Sequence, residues 1–217
     1  MIILIASLIC FIAVMEVSNG PATPVRGRRR STGIVGLNLL LEGGFPEGTL
    51  IMVHGTAVAG VDLAARHFCD GSPEEAGMYV IMEEMIEAAG PEDKMNPALL
   101  LGRMNGSRVV VDSLSAVIER YGIEQTLFLL GLAKDQVRER NGNLMFVVYS
   151  DVHSPMDMTR IMRVADVVIE FKTEIMQAEI QRTLAVQKIR GGAVPRRMLP
   201  FIITDNGIEA STTSRVV

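Results

Sequence analysis

Four short apolar runs, each followed by a stretch of helical character, constrain this chain more than any other feature. "TLIMVHG", "GMYVIMEE", "SRVVVDSLSAV" and "LMFVVYSDV" are nearly continuous in Val, Ile, Leu and Met. A strand with one wet face alternates apolar and polar residues, whereas a continuous run is buried on both faces. Between these runs, "GVDLAARHFC" places Leu63, Ala64, His67 and Phe68 on one helical face, and "IEQTLFLLGLAKDQVRER" is an amphipathic helix closed by "NGN". Buried strands separated by helices predict an α/β domain with a mainly parallel sheet flanked by helices. The later pieces "ADVVIEFK", "IQRTLAVQKIR", "MLPFIITD" and "GIEAS" are joined by turn residues. They predict an antiparallel β extension of the same sheet at the C-terminus.

The chain has 217 residues, 48% of them apolar and 21% charged, with a mean hydropathy of +0.29. That supports one packed domain with a sizeable core and excludes a disordered or fibrous chain. There is no Trp and aromatics are 5%, so aliphatic side chains and 14 Met must fill the core. A net charge of -4 argues against a nucleic-acid-binding class, leaving "RGRRR" and "VPRR" as the only local basic signals. Cys10 and Cys69 lack metal-ligand spacing and read as free thiols in a reducing, cytoplasmic compartment. His54, His67 and His153 are scattered and form no ligand cluster.

Residues 1–17, "MIILIASLICFIAVMEV", are almost uninterrupted apolar sequence. A membrane-spanning helix needs about 20 such residues, with a lower limit near about 17. No Lys or Arg precedes the segment, so it lacks the basic start of a secretory signal. Residues 18–30 form a Pro/Gly/Arg linker ending in Arg26, Arg28, Arg29 and Arg30. Two readings stand. One is a membrane anchor whose arginines keep the domain in the cytoplasm. The other is a greasy strand or helix packed on the domain, or a start codon placed too far upstream. The arginines read as a solvated linker or a lipid-headgroup contact. The domain itself spans 31–210, and residues 211–217 are a tail expected to fray.

Ligands of open α/β sheets bind at the carboxyl ends of the strands, and three strand ends here carry suggestive residues. In "HGTAVAG", Gly55 and Gly60 bracket a loop leading into a helix N-terminus, where N–H groups and the helix dipole favour an anion. "GMYVIMEE" ends in Glu83 and Glu84, and a carboxylate there can orient or deprotonate a water. "VVVDS" ends in Asp112, which suits the water shell of a nucleotide-bound Mg²⁺. The bland reading of the last is a helix cap, for which Asp112, Ser113 and Ser115 all qualify.

With the three motifs in order, the chain resembles the KaiC-like branch of the RecA-fold P-loop ATPases. The resemblance runs from "STGIVGLNLLLEGGFPEGTLIMVHG" through "MYVIMEE" and "VVVDSLSAV" to "ADVVIEF", "RTLAVQKIRGG" and "RRMLPFIITDNGIE". It implies a RecA-like fold binding ATP and magnesium between subunits of a ring or filament. By that resemblance Gly55 and Gly60 lie in the phosphate loop, and Glu83 or Glu84 is the catalytic carboxylate. Asp112 is the magnesium-side acid, and Lys188 and Arg190 reach phosphates held by a neighbouring subunit. The bland reading of the last two is a pair on one face of an exposed strand.

The departures from that pattern are a short connection between Glu84 and the strand of Asp112, "MIEAAGPEDKMNPALLLGRMNGSR", where the family has a helix and an extra strand, and the loop itself. Its central glycine is Val58, its lysine is Val61 and its hydroxyl residue is Asp62. The lysine supplies charge to the β- and γ-phosphates and the hydroxyl coordinates Mg²⁺. Val61 does neither, and Asp62 brings a like charge to the triphosphate. The expectation is a degenerate Walker A motif and a non-catalytic regulatory or scaffold protein, partnered by an active paralogue or by itself. The alternative is an ATP-binding protein or weak ATPase with a noncanonical loop. Asp62 is also expected to stand in for the absent phosphate by satisfying free N–H groups at the helix start.

Overall fold

A computed structural model describes residues 27–89, 101–102, 104, 106–177 and 179–211. The apolar segment 1–17, most of the linker and most of the tail lie outside these residues. No helix among the described residues is long and apolar enough to cross a membrane.

The strands are β1 (Arg29–Arg30), β2 (Phe45–Pro46), β3 (Thr49–Gly55), β4 (Gly77–Ile81), β5 (Arg108–Asp112), β6 (Asn143–Tyr149), β7 (Val167–Met176), β8 (Glu179–Ile189), β9 (Leu199–Thr204) and β10 (Gly207–Ala210). The helices are α1 (Val35–Leu40), α2 (Val61–Asp70), α3 (Met82–Ala89), α4 (Leu114–Arg140) and α5 (Pro155–Val164). Eight strands form one sheet in the order β10-β9-β8-β7-β3-β6-β5-β4. From β7 to β4 the neighbours are parallel; from β7 to β10 they are antiparallel. The parallel sheet and its antiparallel extension are as the apolar runs predict.

The continuous runs are explained by helices on both faces. On β3, Ile51 and Val53 point into a core completed by α1 and α2. Leu50 and Met52 point into a second core completed by α3, α4 and α5. Helix α2 leaves the end of β3 on one face, while α5, following neighbouring β6, packs on the other. That divergence opens a crevice at the carboxyl ends of β3 and β6. Because β6 lies between β3 and β5, the loop after β3 and Asp112 are two strands apart, about 10 Å at about 4.8 Å per strand.

Four local expectations need correction. Arg29 and Arg30 belong to the fold rather than to the linker. They pair with Phe45 and Pro46, and Arg30, 6% exposed, donates to Asn143 Oδ1 at 2.6 Å and pairs with Glu47 and Glu75. Glu83 and Glu84 are not on a strand end, since β4 stops at Ile81 and both lie in the first turn of α3. The buried face of α2 is Val61, Ala64, Ala65, Phe68 and Cys69, whereas Leu63 and His67 are only partly covered. His67 instead ties the C-terminal strands to α2, accepting the Ile208 N–H on Nε2 at 2.8 Å. Finally, the long helix starts at Leu114 and is interrupted at Gly122, whose backbone is non-helical (φ 81°, ψ 164°).

At the amino ends of the strands a buried charge cluster closes the fold. Asp166 is 2% exposed. Its Oδ1 lies 3.0 Å from Lys134 Nζ, 2.9 Å from Arg190 Nε and 3.6 Å from Arg138. Its Oδ2 accepts the Leu50 N–H at 3.1 Å. Oδ1 meets its cations as ion pairs, without hydrogen-bond geometry to any of them.

Candidate functional site at the carboxyl ends of the strands

The loop from Thr56 to Gly60 joins β3 to α2. The Ala59 N–H donates to Thr56 O at 3.0 Å, which closes a tight turn. Gly60 sits at φ 83°, in the left-handed region that a side chain disfavours. Gly55 lies close against β7, where an added Cβ would stand 2.6 Å from Phe171 O. Both glycines are therefore needed for the backbone path whatever the loop binds. Val58 is 71% exposed at the loop tip.

Val61 and Asp62 diverge at the helix start. Val61 is 0% exposed and packs in the core beside Ala64, Ala65 and Phe68. Val61 thus serves the interior. Asp62 is half-buried, and no hydrogen bond joins its carboxylate to the loop N–H groups among the described residues. Its charge is felt instead by Asp112, Tyr79 and Tyr149. The expected substitution of Asp62 for a bound phosphate has no hydrogen bond to support it.

Across the sheet, Asp112 ends β5 under this helix. Its Oδ2 accepts the Tyr79 hydroxyl at 2.5 Å. Burial pushes the Asp112 carboxyl up; the Tyr79 bond opposes this, Glu83 and Asp62 reinforce it, and Arg66 opposes it. Burial, then the bond to Asp112, raises the Tyr79 phenol well above its ordinary value. Tyr149, at the end of β6, is pushed up to about 12 by burial, then by Asp112, Asp62 and Glu83. The Arg66 guanidinium lies 4.9 Å above the Tyr79 ring. Between the two acids at the helix N-cap, Ser113 caps α4, taking the Ala116 N–H at 3.4 Å. Glu83 accepts from the Ser113 hydroxyl at 2.8 Å and from its N–H at 3.2 Å. Glu84 is exposed and makes no hydrogen bond to this network among the described residues. The structure therefore brings Asp62, Glu83 and Asp112 to one end of the sheet, with Arg66 as their nearby cation.

Sequence reasoning missed the two tyrosines. The signal was available: the chain has 3 Tyr, and two of them fall on strands beside the crevice. Tyr79 is two residues before Ile81, the register partner of Asp112, so both side chains face α2. No group of three or more His, Cys, Asp or Glu side chains among the described residues is arranged to hold a metal ion.

Lys188 and Arg190 lie at the other end of the molecule, near the start of β7. The Lys188 ammonium donates to Met162 O (2.8 Å), Arg163 O (3.2 Å) and Ala165 O (2.6 Å), closing the C-terminus of α5. Arg190 pairs with Asp166. Both are engaged inside this subunit and neither reaches its own loop.

Behind the loop, on the opposite face of β3, the buried His54 Nε2 lies 3.2 Å from Gln187 Oε1. Gln187 Nε2 donates to Glu170 at 2.6 Å, and Lys172 pairs with Glu170 at 3.2 Å. Burial lowers the His54 pKa below 6.5, against the Gln187 bond and Glu170, and with Lys172. The folded state thus holds His54 neutral where the unfolded chain begins to take a proton. Between the folded and unfolded pKa values the unfolded state binds more protons, so stability falls as pH drops below about 6.5. His153, also lowered chiefly by burial, acts in the same direction. We expect denaturation midpoints to fall between about pH 7.5 and about pH 5.5, and to fall less in His54→Gln. Identical pH slopes for the two proteins would refute the assignment to His54.

This architecture is shared with a solved protein. A KaiC-like protein from the hyperthermophilic archaeon Pyrococcus horikoshii superposes with a TM-score of 0.67 over 85% of this chain and 99% of that chain, at 22% sequence identity. The fold is therefore the RecA-like α/β fold expected from the strand order and from the motifs. Residues 82–215 match the model of DUF7125, a family of unknown function, and the protein belongs to that family. The matched region starts beyond the loop from Thr56 to Gly60 and includes Glu83, Asp112, Tyr149, Lys188 and Arg190. Comparison with curated proteins finds no match.

Proposed function

We propose that this protein is a KaiC-like RecA-fold protein with a disabled phosphate loop, acting as a regulatory or scaffold partner of an active paralogue or of itself. One observation carries the reading: Val61 is buried in the core, while the charge of Asp62 is felt by Asp112 at the end of β5. ATP and magnesium, which the resemblance implies, do not fit these residues. A triphosphate would meet Asp62, Glu83 and Asp112, with Arg66 the cation beside them among the described residues. It would find no lysine at the helix start, where Val61 stands, and the magnesium-side acid is already bound by Tyr79. Removing a cation and adding an anion act in the same direction. Exposed apolar pairs one helical turn apart, Val35 with Leu39 on α1 and Phe128 with Leu132 on α4, support protein partners.

Calorimetric titration of the full chain with ATP in excess Mg²⁺ tests this directly. We expect no binding in the micromolar range. Micromolar binding would favour the other reading, an ATP-binding protein or weak ATPase with a noncanonical loop.

A further inference from the structure

We propose that the end of the domain opposite the loop, where the parallel strands begin, docks on an anionic lipid bilayer. Helices α4 and α5 and strand β8 all finish there, and each delivers arginines. Arg163 ends α5, Arg138 and Arg140 end α4, and Arg190 follows β8. The next loop, before β9, carries Arg196 and Arg197. Arg163, Arg196 and Arg197 are exposed and form no ion pair or hydrogen bond through their side chains among the described residues.

The entry of the chain extends this cationic end. The Arg28 carbonyl accepts the Glu47 N–H at 3.1 Å, and Gly48 N donates to Gly142 O at 2.8 Å, just past α4. A Cβ on Gly48 would lie 3.6 Å from Arg138 Cα, so Arg28 and Arg29 adjoin the end of α4. The acids nearby do not cancel this charge. Asp166 is buried beneath three cations, and Glu47 and Glu75 are occupied by Arg30 and Arg108. Asp135 and Glu139 remain on the exposed side of α4, Asp70 and Glu74 lie on the α2 side, and exposed Glu42 precedes Gly43, which lies against Arg29. The chain as a whole carries a net charge of -4, so this end is cationic against an acidic background.

The apolar residues decide between kinds of polyanion. Val194 and Met198, 42% and 59% exposed, flank Arg196 and Arg197 in the same loop. Nucleic-acid phosphates leave such side chains in water, whereas a bilayer interface takes apolar groups and cations side by side. The chain before Arg28, which includes the apolar sequence 1–17, also joins the domain at this end.

Co-sedimentation of the full chain with vesicles tests the proposal. Phosphatidylcholine vesicles are compared with vesicles containing about one-third phosphatidylserine, at low and physiological salt. Any contribution of sequence 1–17 is common to both kinds, so the phosphatidylserine-dependent excess isolates the folded end. We expect that excess to shrink with salt and to fall on the order of a hundredfold in Arg163→Ala/Arg196→Ala/Arg197→Ala, about fivefold per arginine. Val194→Ser/Met198→Ser should also weaken it. Unchanged melting temperatures confirm that these variants fold. Equal partition onto the two kinds of vesicle, a triple variant that keeps the full excess, or tighter binding to a short DNA duplex than to either vesicle would overturn the proposal.

Discussion

Asp166→Ala is expected to destabilise the fold by about 3–5 kcal/mol. The loss comes from what stays buried, not from the pair energies summed. Lys134 is itself 8% exposed and would keep an ammonium whose only remaining partner is the Val164 carbonyl. The Leu50 N–H would lose its acceptor on Oδ2. Arg138 and Arg190 are about half exposed, so water screens their share and they add little. The free energy of urea unfolding, compared with wild type, gives the magnitude. Asp166→Asn keeps an acceptor for Leu50 but loses the charge, so it should fall between the two. A cost below about 1 kcal/mol for the alanine variant would show that Lys134 relaxes to solvent, as a surface pair would.

Asp62→Lys is expected to raise affinity for Mg·ATP by at least tenfold. At about 8 Å and an effective dielectric near about 20, each like unit charge repels by about 2 kcal/mol. Reversing the sign doubles the swing to about 4 kcal/mol per unit of phosphate charge, which screening at physiological salt cuts to roughly a third. The helix N-terminus then faces the crevice with a cation instead of an anion. Val61→Lys is the poorer test, since that side chain lies in the core and an ammonium there would oppose folding. Parallel titrations of wild type and variant decide the matter. Equal affinities, weak or strong, would show that the charge of Asp62 does not control the site.

Much of the architecture was legible in the chain because burial on two faces leaves a direct trace in composition. The runs around Met52, Val110 and Val147 have no polar alternation, and only helices on both sides of a parallel sheet permit that. The loop was legible as well, since Gly55 and Gly60 are needed for its backbone path. Other features lay beyond local pattern. Arg30 reads as one more linker arginine, and nothing local reveals that Asn143 and Glu75 wait for it. Glu83 and Glu84 read as a strand end because the apolar run continues through Met82, whose side chain packs on α4 from the first turn of α3.

The site divides along the same line. Residue identity alone determined that the two positions after Gly60 are Val61 and Asp62, neither a lysine nor a hydroxyl and the second an acid, because those are properties of single positions. Only tertiary structure decided where that acid acts. The order β3-β6-β5-β4 places Tyr79, Tyr149 and Asp112 under α2, so the acid of the loop joins two carboxylates and two tyrosines instead of capping free N–H groups. It also decided that Lys188 serves the end of α5. Such pairings join residues far apart in the chain and depend on strand order and register, which short-range periodicity does not encode.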